Sequence, residues 1–279
     1  MVLGQRICAC SEIFVSLNFT ISQPNMALQS RLTHFLVLLF FLGLTSTLSI
    51  AQDKQIVRLN EHFYPINEND TINYFYKAII VKITDSTSIE RIFNLKNQIV
   101  KITRCGYNQE GDFPEENTET YDNGKLVSKK IKNSDNGFYQ AVYFENDEQI
   151  GEVFFQGEKN YEIRKTGSDE VVMADENVFE PMPKLDQDLW SNILIQNLKY
   201  PASSRRKREE GTAILAMYVN EFGEHGKFEI ANPENVDESL ALEALRAASK
   251  FEGEIAPATN IDGNTVDAWL YIPLRFMLD

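Results

Sequence analysis

The chain has few of the residues that catalysis, disulfide bonding and nucleic-acid binding require. It contains three histidines and three cysteines in 279 residues, and they show no zinc-ligand spacing. There is no G-x-S-x-G elbow and no phosphate-cradling glycine loop. The formal net charge of −14 argues against a nucleic-acid partner, because phosphate binding needs a basic face. We therefore expect no enzyme activity, no catalytic residue, no metal site, no cofactor and no nucleic-acid partner.

None of the three histidines suggests a catalytic group. His34 lies beside an apolar run, and His62 lies near the start of a predicted strand. His225 lies between Glu224 and Gly226, and we interpret it as an exposed turn residue.

Residues 1–51 have the pattern of a targeting segment. Arg31 precedes the apolar run Phe35–Leu44, and small and polar residues follow as far as Ala51. This order is typical of a secretory signal peptide that starts at Met26 and is cleaved after Ala51. The run is shorter than the roughly 20 residues of a spanning helix, so we expect export. Retention of the segment as a membrane anchor is the alternative.

Cleavage after Ala51 would remove Cys8 and Cys10 and leave Cys105. A single cysteine cannot form an internal disulfide. Cys105 lies in an alternating apolar stretch, so we expect a small buried hydrophobic side chain. A reactive or intermolecular thiol is the alternative.

Residues 52–166 predict a β-rich domain of antiparallel hairpins, because apolar and polar residues alternate between turn signals. The clearest signal is Asn123-Gly124, which favours a type I′ turn since both central residues need φ > 0. Further hairpins are predicted around Lys96-Asn97 and Glu145-Asn146-Asp147. The hairpins that begin at Tyr121 and Phe144 are similar to MORN-like repeats, which would form stacked hairpins.

Residues 167–184 predict a linker. Gly167 and Ser168 open it, and the residues before Pro181 and Pro183 should be extended, because a residue that precedes proline avoids the helical region.

Residues 185–279 combine helix and strand signals. Leu185, Leu189 and Ile193 recur at i+4 steps and predict a first helix, and Asp237 should cap another. Pro201 starts a short helix with the basic cluster Arg205–Arg208. We interpret this cluster as a solvated helix face; contact with acidic lipid, peptidoglycan or a partner is the alternative. Strands are predicted over residues 211–219, 227–230 and 266–278.

The last predicted strand contains Pro273, which has no N–H to donate. Proline is confined to edge strands and bulges, so this strand should be an edge, and an edge that is kept open is a docking surface. The predicted docking residues are Ala268, Trp269, Leu270, Tyr271, Ile272, Pro273, Leu274, Arg275 and Phe276.

Several short anchors occur in a fixed order through residues 185–279. They are Tyr200-Pro201, Glu210-Gly211-Thr212, Val219-Asn220-Glu221-Phe222-Gly223, Asp237 with Ala241–Leu245, Asp262–Val266 and Tyr271–Phe276. In this order they resemble the TonB C-terminal domain family. The resemblance implies an α+β fold with a two-helix, three-strand antiparallel domain in the periplasm. Its last strand would pair with a short extended segment of an outer-membrane transporter.

The resemblance implies a periplasmic adaptor that binds partners by strand addition. The alternative is a membrane-anchored energy transducer of the TonB type, facing the periplasm. The chain has nine prolines and no run of them, so it lacks a proline-rich spacer, and an inner-membrane motor complex is not expected as a partner. An open edge also allows a homodimer.

Overall fold

The computed structural model describes residues 53–157, 160–184 and 196–278. Most of residues 53–174 form one antiparallel sheet in which ten strands follow one another in chain order. The strands are β1 Asp53–Leu59, β2 Tyr76–Lys82, β3 Ser88–Asn94, β4 Ile99–Asn108, β5 Phe113–Asp122, β6 Lys125–Asn133, β7 Tyr139–Glu145, β8 Glu148–Phe155, β9 Tyr161–Lys165 and β10 Val171–Ala174.

The C-terminal part is built on a three-stranded antiparallel sheet of order β13-β12-β17. Two short strand pairs, β11 with β14 and β15 with β16, flank it. The elements are β11 Met182–Pro183, α1 Ala202–Lys207, β12 Gly211–Val219, β13 His225–Ile230, a 3₁₀ turn Pro233–Asn235, α2 Glu238–Ala248, β14 Ile255–Ala256, β15 Ala258–Thr259, β16 Thr265–Val266 and β17 Ala268–Phe276.

The α+β class is consistent with this structure, in which strands predominate. The predicted helix at Leu185–Ile193 lies outside the described residues. The two short strand pairs of the C-terminal part were not predicted from sequence.

Local turn chemistry sets the hairpins of the large sheet. Asn123 and Gly124 have φ values of 49° and 81°, which confirms the predicted type I′ geometry. Asn146 and Asp147 also have positive φ, 51° and 68°, although neither is glycine. Asparagine and aspartate tolerate this region better than other side chains do, so the same tight turn forms without glycine.

Neighbouring hairpins are connected at their turns. Lys125 Nζ donates to Asn146 Oδ1 at 3.2 Å, and Lys77 Nζ donates to Asn97 Oδ1 at 3.0 Å. In both pairs a lysine on one strand binds a turn asparagine of a nearby hairpin. The resemblance to MORN-like repeats stays a prediction.

Cys105 is buried in β4, with 7% of its surface exposed. This burial agrees with the expectation of a small buried side chain. The other two cysteines of the chain lie outside the described residues.

The segment predicted as a linker takes part in sheet pairing. Val171–Ala174 form β10 against β9, and Met182-Pro183 pair with Ile255-Ala256. Lys184 N–H donates to the Glu254 carbonyl at 3.0 Å. Residues 167–184 therefore attach to both sheets.

Helix α2 covers one face of the three-stranded sheet. Asp237 caps it by accepting from the Ser239 N–H at 3.0 Å, as predicted. Leu240, Ala244 and Ala248 lie at i+4 steps and are fully buried, which is the spacing of a core-facing stripe. They pack on Leu215, Met217, Leu270, Ile272, Leu274 and Phe276. This cluster is the main core of the C-terminal part.

The two sheets also contact each other. Asn60 Nδ2, just after β1, donates to the Ala231 carbonyl at 2.8 Å. Ile261, between β15 and β16, packs with Val153 and Ile163 of the large sheet. Lys165 Nζ donates to the Asp262 carbonyl at 2.8 Å. The loops at both ends of the contact hold the sheets together.

Within the described part of the chain, no helix has both the length and the apolar character needed to cross a membrane. The apolar run Phe35–Leu44 lies outside that part.

Candidate functional site

All nine predicted docking residues lie on β17. This strand pairs with β12 from Gly211↔Phe276 to Val219↔Ala268 without a register shift. β13 occupies the other side of β12. Among the residues that the structure describes, the outer side of β17 therefore has no strand partner.

Alternate side chains of β17 point to opposite faces of the sheet. Leu270, Ile272, Leu274 and Phe276 face helix α2 and are at most 8% exposed. This continuous apolar anchoring holds the backbone of the edge strand in place. The edge is thus preorganised as a template for a further strand.

The opposite face of β17 is divided into two halves. Trp269 and Tyr271 are partly covered by the loop Asn60–Pro65, whose His62 ring stands edge-on to both. Tyr64 of the same loop packs beside them on the buried cluster of the small sheet. Pro273 and Arg275 are exposed. A strand added at this edge would have the large sheet beside one half and solvent beside the other.

Pro273 lies at a position of β17 whose backbone makes no hydrogen bond to β12. Its partner across the pair is Ile214, whose N–H donates to Asn232 Oδ1 at 2.8 Å and whose carbonyl accepts from the Ala231 N–H at 2.8 Å. Both backbone groups of Ile214 thus point away from β17. Pro273 and Ile214 therefore form a non-hydrogen-bonded pair, and the backbone groups of Pro273 point to the outer edge.

The same alternation applies along the strand. In an antiparallel ladder every second residue directs its N–H and C=O to the same side. Trp269, Tyr271 and Arg275 therefore also direct theirs outward. The missing N–H of Pro273 leaves one gap in the row of outer donors.

A buried histidine crosses the face of the small sheet. His62 Nδ1 lies 3.2 Å from the Tyr271 hydroxyl, and its Nε2 lies 3.1 Å from Glu229 Oε2. Glu229 and Tyr271 are both register partners of Ala216, so the imidazole bridges β13 and β17 beside a small residue on β12. Sequence patterns did not indicate this role, because Glu229 and Tyr271 are 167 and 209 residues away from His62 in the sequence.

The proton positions of this network follow from its donors and acceptors. An ionised carboxylate only accepts, so Nε2 carries the proton that points to Glu229. In the neutral ring Nδ1 then accepts from the Tyr271 hydroxyl. Partial burial acts to raise the pKa of Glu229, but hydrogen bonds with Lys227, His62 and Glu61 outweigh it and lower the pKa. Burial, with the nearby Tyr64 and Glu61, raises the pKa of Tyr271 to about 12.

Polar contacts also surround the start of β17. Lys227 Nζ lies 4.8 Å from the ring centroid of Trp269, a cation–π distance. The Tyr218 hydroxyl donates to Asp267 Oδ2 at 2.6 Å. This hydrogen bond is the main cause of the raised pKa of Tyr218. Both contacts fix the residues where the edge strand begins.

The basic cluster lies near the other end of the strand. Arg205, on α1, stacks over Tyr200 at 5.8 Å, and the Tyr200 ring meets Phe276 at 5.9 Å. Arg208 follows the helix in the left-handed region, with φ 57°. A chain bound along β17 would thus pass close to this positive charge.

His225 differs from its prediction as an exposed turn residue. It opens β13 and is half-buried, and its Nε2 lies 2.9 Å from the Gly253 carbonyl. The ring packs on Phe251 at 5.3 Å. Within the described residues its buried Nδ1 has no hydrogen-bond partner. It is a packing residue that joins β13 to the segment after α2.

A three-stranded antiparallel sheet with a helix on one face and an edge strand at its C-terminal end defines a small α+β domain. Residues 196–278 match the family described as Gram-negative bacterial TonB protein C-terminal. This part of the chain is therefore a TonB C-terminal domain, which confirms the prediction from sequence. This family is one of protein-interaction and transport-energy domains and is not a known enzyme family. No curated protein and no solved structure matches the chain.

Proposed function

We propose that this chain is a periplasmic adaptor that binds a segment of an outer-membrane transporter by strand addition to β17. The observation that carries the proposal is the outward-facing backbone of β17 in a TonB C-terminal domain. Strand addition uses such backbone groups for affinity and the alternate side chains for selectivity.

The available hydrogen bonds set the strength of this interaction. The outward groups are the N–H groups of Trp269, Tyr271 and Arg275 and the carbonyls of these residues and Pro273. Each net hydrogen bond contributes roughly 0.5–1.5 kcal/mol, whereas association costs about 4–15 kcal/mol. Backbone pairing by itself therefore gives weak and reversible binding. Side chains along the Trp269 half and the exposed Arg275 half would add selectivity.

The test is binding of the full chain to synthetic peptides that cover the N-terminal segments of transporters from the same genome. We expect at least one peptide to bind. Arg275→Pro removes an outward N–H without removing a bond to β12, so it should weaken binding about 2- to 10-fold, the equivalent of one hydrogen bond.

Arg275→Ala is the matched control, because it removes the side chain and keeps the N–H. Equal affinities of the Pro and Ala variants, both folded, would contradict strand addition at this edge. A concentration-dependent dimer that is weakened by Arg275→Pro would assign the edge to a second copy of the chain instead.

The adaptor proposal also includes export with removal of the targeting segment. N-terminal sequencing of the expressed protein should find a chain that starts at Gln52. A chain that retains residues 32–50 in the membrane fraction would instead support the anchored transducer.

A further inference from the structure

Three side chains with metal-binding atoms meet where the Asn60–Pro65 loop contacts β13. Glu61, His62 and Glu229 each contribute one ligand atom, and these atoms all lie within 4.8 Å of one another. One imidazole nitrogen with two carboxylate oxygens is a donor set suited to zinc. We propose that this cluster binds a divalent transition-metal ion, with Zn²⁺ as the best fit, and that the ion connects the two sheets.

The position of His62 fits a ligand. It is 6% exposed, and its ring stands edge-on to Trp269 and Tyr271, with centroids 4.7 Å and 5.7 Å away. Its Nδ1 is held by the Tyr271 hydroxyl at 3.2 Å. With the metal on Nε2, Nδ1 would carry the proton and donate it to the Tyr271 oxygen. Metal-bound histidines are commonly oriented by such a bond to the other ring nitrogen.

The contacts of Glu229 leave one of its oxygens on the side of His62. Lys227 Nζ lies 2.6 Å from Glu229 Oε1, and His62 Nε2 lies 3.1 Å from Glu229 Oε2. A metal ion bound by Nε2 and Oε2 would therefore leave the contact between Lys227 and Oε1 in place.

The chemistry also predicts which metals bind. Zn²⁺ accepts nitrogen and oxygen ligands in a tetrahedral site, with water in the remaining position. Mg²⁺ prefers an octahedron of oxygen ligands, so an imidazole in the donor set disfavours it. Zn²⁺ should therefore bind more tightly than Mg²⁺.

The experiment is calorimetric titration of ZnCl₂ into the full, untagged chain after treatment with a chelator, together with thermal unfolding. We expect one saturable site, a higher Tm with Zn²⁺ and no comparable effect of MgCl₂. Glu61→Gln changes a partly exposed ligand, so it should preserve the fold and weaken Zn²⁺ binding about 10-fold or more.

His225→Asn is the matched control, because it removes a histidine that lies outside the cluster. This variant should bind Zn²⁺ as tightly as the unmodified chain does. Absence of a saturable site in the unmodified chain would overturn the proposal. So would equal affinities of Glu61→Gln and the unmodified chain. Because Glu61→Gln and His225→Asn both leave the buried His62 unchanged, their comparison separates loss of a ligand from loss of the fold.

Discussion

His62 Nε2 lies 3.1 Å from Glu229 Oε2, and this contact joins two sheets across 167 positions of sequence. The histidine comes from the loop after β1, and the glutamate comes from β13. The other ring nitrogen of His62, Nδ1, contacts the Tyr271 hydroxyl on β17. The ten-stranded sheet thereby supports the strand that we propose as the docking edge.

His62→Ala should destabilise the chain by about 1–3 kcal/mol, because it leaves Glu229 and Tyr271 without a buried hydrogen-bond partner. Urea unfolding in the presence of a chelator measures this loss without a contribution from bound metal. Adding Glu229→Gln completes a double-mutant cycle, in which we expect a coupling of about 0.5–3 kcal/mol. Strict additivity of the two changes would show that the contact contributes nothing.

Pro273→Ala should strengthen strand pairing at the outer edge, because it adds an N–H to the row of outward donors. The expected gain in peptide affinity is about 2- to 10-fold, the equivalent of one hydrogen bond. Self-association should also increase, since proline is one of the devices that protect an edge. Peptide titration and sedimentation velocity measure the two effects.

The double variant Pro273→Ala with Arg275→Pro moves the gap in the donor row by two residues. It should return peptide affinity toward that of the unmodified chain. A Pro273→Ala variant that binds no more tightly than the unmodified chain would show that its backbone is not part of the docking surface.

The stability of helix α2 should depend on the ionisation of Asp237. Its hydrogen bond with Ser239 is the main cause that lowers the pKa of this carboxyl to about 2. Because the folded pKa lies below that of the unfolded chain, the stabilisation is present above about pH 4 and is lost as the pH falls through about 2. Asp237→Asn keeps a cap acceptor but does not titrate.

The measurement for Asp237 is the urea midpoint of the two proteins between pH 7 and pH 2. We expect the unmodified chain to lose stability relative to Asp237→Asn as the pH falls over this range. A difference that does not vary with pH would contradict a role for the ionised cap.

Gly223→Ala should destabilise the chain by more than about 1 kcal/mol. Gly223 has φ +81°, and a Cβ there would lie 2.5 Å from the Ile255 carbonyl oxygen. Left-handed backbone costs about 1–2 kcal/mol for other residues, and the clash adds to this. Thermal or urea unfolding measures the change.

Gly226→Ala is the control for Gly223. It lies in β13 near the same turn, and a Cβ there would meet nothing within 4 Å. The stability of the Gly226→Ala variant should stay close to that of the unmodified chain. Equal losses at the two glycines would show that the close approach to Ile255 is not the cause.

The features that were predictable from sequence depend on neighbouring residues. Asn123-Gly124 forms its turn through its own backbone preference, and Asp237 caps α2 through a bond two residues away. Pro273 lacks an N–H in any fold, so its place at an edge could be inferred without coordinates. The ordered anchors of residues 196–278 identified the family in the same way.

The features that were missed depend on contacts between distant segments. Residues 171–174 were expected in a linker because of the glycine, serine and prolines around them, but they pair with β9 and form β10. His225 was expected in an exposed turn, but the segment after α2 folds back onto it and covers its ring.

The sequence by itself determined the hairpin turns, the capped helix α2 and the edge strand with Pro273, because each follows from local backbone chemistry and side-chain periodicity. Only the tertiary structure decided that the loop Asn60–Pro65 covers Trp269 and Tyr271 on β17 and that Glu61, His62 and Glu229 converge. These residues are far apart in the sequence and belong to no common periodic pattern. They come into contact only when the two sheets pack against each other, so no local sequence signal predicts the contacts.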